Sequence, residues 1–189
     1  MDSINDLWNK VGLISRLSKE FEHSSTQFGK TAVMKYLFIL QEVFKVPCGY
    51  DFSLYTYGPY SADVLSDLDY SEAIDAVKLY NVCSGTGGYS IEPSSKTEEY
   101  ISKAESFLNK YQQEIREVLK LFSGMTARDL ELRSTIIYMY KKYISNGWSI
   151  LSDEIASDVR ELKPHFNIEE ILYAYEQLDE MKIFFKINN

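Results

Sequence analysis

The chain has 189 residues, 45% of them hydrophobic and 25% charged, the balance of a globular protein with room for one large domain or two small ones. Its net charge of −8 weighs against non-specific binding to nucleic acid or to an anionic membrane. The two cysteines, Cys48 and Cys83, form neither a CxxC pair nor part of a Cys/His cluster, so both are read as small buried apolar residues of a reduced, cytoplasmic protein.

The start, Met1-Asp2-Ser3-Ile4, lacks the basic-then-apolar pattern of a signal peptide, and the apolar runs from Tyr36 to Leu40 and Ile136 to Tyr140 are too short to span a bilayer. Residues 2 to 21 predict an amphipathic helix, with Ile4, Leu7, Trp8, Val11, Ile14 and Leu17 at helical spacing. Residues 1–27 form this N-terminal segment. Ser24-Ser25-Thr26-Gln27 has the form of a capping box opening a helix over 28 to 44, apolar almost all round and therefore central. Phe52 to Tyr57 alternates as a strand, and Gly58-Pro59 breaks it. A short helix from Tyr60 to Leu68 follows. Asp69-Tyr70-Ser71-Glu72 then reads as a second capping box, opening a helix that runs to Tyr80. Val82-Cys83, a Gly85-Thr86-Gly87-Gly88 turn and Tyr89-Ser90-Ile91 give a β-hairpin. Helix, strand, helix, helix, hairpin is the plan of a winged helix, assigned to residues 28–92.

Residues 93–189 predict a helical extension packed on that core. Ser95-Lys96-Thr97-Glu98 caps one long helix with a stripe of Tyr100, Ala104, Phe107, Leu108, Tyr111, Ile115, Val118 and Phe122. A buried helix from Thr126 to Ser145 ends at Asn146-Gly147. Two more helices cover 153 to 162 and 168 to 181, the latter with Asn167 as N-cap, and Ile183 to Ile187 reads as a last strand. The fold class is mainly α with a small β component, an α+β chain.

No motif here predicts catalysis, a metal or a cofactor. The turn Gly85-x-Gly87-Gly88 lacks a following Lys-Ser/Thr and a helix to hold a phosphate, so it is a hairpin turn. His23 and His165 stand far apart, and neither has an i+4 partner for zinc. Over residues 60 to 91 a single base, Lys78, stands against Asp63, Asp67, Asp69, Glu72 and Asp75, a net charge of −4. A recognition helix and wing of that sign repel phosphates, so DNA is not expected on the winged-helix face. Elsewhere Lys30 and Lys35 read as solvated helix positions, and Lys141, Lys142, Arg160 and Lys163 make a candidate basic patch.

Tyr55-Thr56-Tyr57-Gly58-Pro59-Tyr60-Ser61, followed by Leu65 and Asp67-Leu68, resembles the YwgA-like family of uncharacterised bacterial proteins and, more distantly, the SocA-type (Panacea) antitoxin domain. Lys35 to Gln41 resembles the first core helix of both families. Arg160 to Phe166, with Glu169, Glu170, Ile171 and Ala174, resembles the YwgA-like C-terminal end. The likeness covers roughly residues 28 to 92 and 158 to 181. The antitoxin-type relatives imply neutralisation of a toxin by direct contact, or action as a proteolytic adaptor. In the motif, Pro59 suits the first turn of the following helix, Gly58 allows a sharp reversal, and Tyr55, Tyr57 and Tyr60 gather at the corner. That corner is either packing or a partner-binding ridge of Tyr55, Tyr57, Pro59 and Tyr60. The expected function is a non-catalytic, antitoxin-like or regulatory module binding a protein partner, such as a toxin or a defence or regulatory protein. The alternative is a transcription regulator with a non-standard basic DNA face. No membrane is expected, and a homodimer is left open.

Overall fold

The computed structural model describes residues 2–83 and 87–188. The described chain is mainly α with a small β component: α1 (Asp2–Phe21), α2 (Lys30–Glu42), β1 (Ser53–Tyr55), β2 (Gly58–Tyr60), α3 (Ala62–Ala73), β3 (Val77–Asn81), β4 (Tyr89–Pro93), α4 (Thr97–Lys103), α5 (Glu105–Lys110), α6 (Gln112–Phe122), α7 (Ala127–Asn146), α8 (Ser152–Leu162), α9 (Ile168–Glu180) and α10 (Ile183–Asn188). No helix among the described residues is long and apolar enough to cross a membrane.

The first helix follows its hydrophobic stripe. Val11, Ile14 and Leu17 are buried, while Ile4, in the opening turns, stays exposed. The α2 helix is central: every side chain from Ala32 to Leu40 is buried, including Lys35. Its start differs from the expected capping box. Ser24 Oγ accepts from the Thr26 amide at 3.1 Å, and the Gln27 amide group reaches across to the Tyr89 carbonyl at 2.8 Å. The helix then begins behind Gly29, which has no side chain to cap it.

Between α2 and α3 the expected single strand is a hairpin. β1 and β2 pair antiparallel in the register Ser53↔Tyr60, Leu54↔Pro59 and Tyr55↔Gly58. Pro59 therefore lies in a strand and not in the first turn of α3, which starts behind Ser61. A two-stranded sheet tolerates this, because a proline without an N–H needs only one ladder neighbour.

The two helices expected over 60 to 80 are one, α3, and the Asp69–Glu72 stretch lies inside it. The chain leaves α3 through Asp75, in the left-handed region at φ 65°. Asp75 donates its amide to the Glu72 carbonyl at 3.0 Å and Ala76 to the Ser71 carbonyl at 2.8 Å, the paired bonds of a Schellman ending. Glycine usually takes that position. Here the Asp75 carboxylate accepts from the Ser94 and Ser95 hydroxyls, which hold it below the usual carboxylate range. Residues 77–81 are thereby freed to pair as β3 with β4, from Val77↔Pro93 to Asn81↔Tyr89. The expected recognition helix through Tyr80 is absent, and the hairpin opens at Val77 instead of Val82. The rest of the predicted turn falls partly on residues 84–86, outside the described residues. Gly87 and Gly88 have positive φ.

The long helix expected after Pro93 is broken into α4, α5 and α6 at Ala104 and Tyr111, whose backbones are non-helical. Its stripe is buried all the same, from Tyr100 to Phe122, with Phe107 and Tyr111 half-buried. Ser95 caps nothing. Thr97 Oγ1 accepts from the Ser94 amide at 2.7 Å and donates to the Ala76 carbonyl at 2.6 Å. α7 opens with a Thr126–Asp129 capping box and ends at Gly147, φ 67°. α9 opens with an Asn167–Glu170 box. The last segment is a helix, not a strand. Lys182, at φ 59°, turns the chain back, and Ile183 and Phe184 at the start of α10 are both buried. Phe184 stacks on Tyr140 at 4.1 Å. Cys48 is buried as expected, but Cys83, in the β3–β4 loop, is exposed.

Candidate functional site

The β1–β2 hairpin is fixed from below by buried charges. Lys35, from the middle of α2, donates its ammonium to the Pro59 carbonyl at 2.7 Å. Lys163, just after α8 and 2% exposed, donates to the carbonyls of Tyr55, at 3.1 Å, and of Thr56. Glu131 of α7 lies between the two lysines. Its Oε1 is 3.2 Å from Lys163 Nζ and 3.3 Å from Nε2 of half-exposed His165. Burial lowers the Lys35 pKa to about 7; the Glu131 charge opposes that shift, and Lys163 adds to it. These charges are compensated as buried charges must be, by each other and by backbone oxygens.

Gly58 closes the arrangement. It has φ 85°, and a Cβ there would come within 3.0 Å of Thr135 Oγ1 and 3.4 Å of Lys35 Nζ. The hairpin backbone thus lies directly on α7 and α2. Only glycine has both the conformation and the space.

The tyrosine corner divides between packing and exposure. Pro59 is buried and Tyr60 half-buried, whereas Tyr55 and Tyr57 are 66% and 65% exposed. The Tyr55 ring lies 5.5 Å from Tyr60. Tyr57, at the tip, borders a groove of about 740 Å³ whose other walls are Thr26 and Gln27 before α2, Lys30, Tyr89 of β4, and Arg128 with Glu131 on α7. The basic residues of the groove are held in place: Lys30 sits 4.4 Å over the Tyr89 ring and 3.8 Å from Asp69, while Arg128 pairs with Glu170 at 2.9 Å and lies 4.2 Å over Phe166.

The four residues of the candidate basic patch serve separate local contacts. Lys141 pairs with Glu42, Lys142 lies over Trp148 at 5.9 Å, Arg160 donates to the Pro164 and Phe166 carbonyls, and Lys163 is buried under the hairpin. Lys163 and Lys35, expected in solvent, are structural. Among the described residues no group of three or more His, Cys, Asp or Glu side chains could hold a metal ion.

Sequence reasoning missed the Lys35–Glu131–Lys163 set. The available signal was Lys35 itself, a charge inside a run with no polar face. Nothing local in the sequence marks Glu131 as its neighbour. The chain matches no family model, and no curated protein matches it.

Proposed function

We propose that this chain is a non-catalytic interaction module, antitoxin-like or regulatory, and that it grips a protein partner in the groove beside Tyr57. One observation carries the reading: a largely exposed aromatic ring stands at a groove on a hairpin whose backbone is tied down by two buried lysines. A ring presented on rigid backbone loses little entropy on binding, and tyrosine is among the residues that dominate interface energetics. The buried lysines beneath the hairpin support binding over catalysis, since Lys163 and Lys35 are committed to holding carbonyls. The alternative, DNA binding through a non-standard basic face, draws less support because its candidate bases are engaged one by one within the protein.

Site-specific photo-crosslinking in the native cell tests the proposal. Benzoylphenylalanine replaces Tyr57 in one strain and Tyr173, 61% exposed on α9, in another. The expected result is one discrete crosslinked protein from position 57 and not from 173. No adduct at 57, or the same adducts from both positions, would sink the reading.

A further inference from the structure

The hairpin of β3 and β4 turns one of its edges toward the groove. Val82 donates its amide to the Gly88 carbonyl at 2.8 Å, which fixes the phase of the ladder. Main-chain groups alternate along an antiparallel pair, so those of Asn81 and Tyr89, and of Leu79 and Ile91, point away from the facing strand. The contacts at both edges keep to this phase. On the β3 edge the Leu79 amide donates to the Glu72 carboxylate at 3.2 Å. On the β4 edge the Ile91 amide donates to the Phe28 carbonyl at 2.8 Å. Pro93, in the same phase, has no N–H to satisfy.

At Tyr89, one rung on from Ile91, the neighbouring segment supplies no main-chain donor. The Gln27 carboxamide reaches in and donates to the Tyr89 carbonyl at 2.8 Å. The Tyr89 amide points out on the same edge and donates to nothing among the described residues. A side-chain carboxamide carries the donor and acceptor of a peptide group, so Gln27 stands where an added strand would pass. Gln27, Gly87, Gly88 and Tyr89 all line the groove, and the two glycines have no side chain to obstruct it. The β3 edge is sealed by a charge, a common guard against strand addition, whereas the β4 edge is sealed by a neutral mimic of a strand.

The groove's charges are met in pairs: Lys30 with Asp69, Arg128 with Glu170 and Glu131 with Lys163. What it leaves unmet is a main-chain donor, and an extended polypeptide is the ligand that answers it. We propose that the partner enters the groove as an extended segment added to the β4 edge, its main chain pairing with the Tyr89 amide and carbonyl in place of the Gln27 carboxamide. This rests on the groove being the partner's site, and it names the element that occupies it.

The benzoylphenylalanine adduct at position 57 gives the first readout. Tyr89→Ala and Tyr89→Pro both remove the ring, and only proline also removes the amide. That amide is outside the ladder, so the strand edge accepts proline there. The adduct should persist in Tyr89→Ala and fall about tenfold in Tyr89→Pro, with matching circular-dichroism melts. The second readout needs no variant: the purified partner that the adduct identifies is added to the isotope-labelled full chain, and hydrogen exchange of the Tyr89 amide is followed. It should slow about tenfold or more. Equal adducts from two folded variants, or Tyr89 exchange unchanged in the complex, would overturn the added strand and leave the groove reading standing. Absence of any adduct in the parent would remove both.

Discussion

The Lys163 ammonium donates to the Tyr55 carbonyl at 3.1 Å across 108 positions of sequence, so the hairpin that carries Tyr57 is fixed by a residue from the far end of the chain. Lys163→Met keeps the apolar stem and removes the charge. Glu131 then loses its closest cation while still buried, and the expected loss is about 3 kcal/mol. Adding Glu131→Gln should recover part of it. Urea unfolding of the single and double variants checks this; additive losses would show that the pair is not coupled.

Gly58→Ala should be costly even though it adds one methyl. The backbone is left-handed at φ 85°, and the new carbon would press on Thr135 Oγ1. Together these predict a loss of roughly 1–3 kcal/mol with an unchanged helical spectrum. A variant as stable as the parent would mean that the hairpin can lift from α7.

Tyr57→Ala should leave stability within about 0.5 kcal/mol, because the ring is mostly in solvent. Phe38→Ala, in the middle of buried α2, should lose about 3–5 kcal/mol in the same unfolding assay. If Tyr57→Ala unfolds as readily as Phe38→Ala, the ring is packing and the binding role falls.

Helices whose signals are local were legible in the sequence. The apolar run of α2, the Asn167 cap of α9 and the Gly147 ending of α7 each depend on residues within a turn or two. What could not be read depends on distant partners. Asp75 adopts a left-handed conformation usually left to glycine because Ser94 and Ser95, on the far side of the second hairpin, hold its carboxylate. That one residue ends α3 and turns a predicted recognition helix into β3. Pro59 looked like a helix opener, since its missing N–H suits that place equally well, and its carbonyl partner, Lys35, lies 24 positions back. The site followed the same rule: the exposed tyrosines were found from the motif, and the buried charges beneath them were not.

Duplex DNA should bind weakly, at about 10⁻⁴ M or poorer at physiological salt. The stretch from 60 to 91 keeps its net charge of −4 however it folds, and Lys30, beside the hairpin, is engaged by Asp69 and the Tyr89 ring. Fluorescence anisotropy at two salt concentrations checks this. Sub-micromolar binding lost on Lys142→Glu would revive the regulator reading.

Stability should rise with pH through the window set by Lys35. Its pKa is lowered from 10.5 to about 7 in the folded protein, chiefly by burial. Between those values the unfolded chain holds a proton that the folded chain releases, so raising the pH favours folding; below about 7 both states carry the charge and the full burial penalty applies. The groups around the ammonium are the Pro59 carbonyl, Glu131, Lys163 and Thr135 beneath Gly58. Lys35→Met removes this contribution. Urea unfolding of both proteins at about pH 6 and about pH 9 should show the parent gaining on the variant as the pH rises, and parallel responses would exclude the assignment. Glu131→Gln supplies a second handle. Glu131 is the charge that favours the ammonium, so in the Glu131→Gln protein the lower edge of the window should move below 7, and the gain of that protein over its counterpart with Lys35→Met added should begin at lower pH.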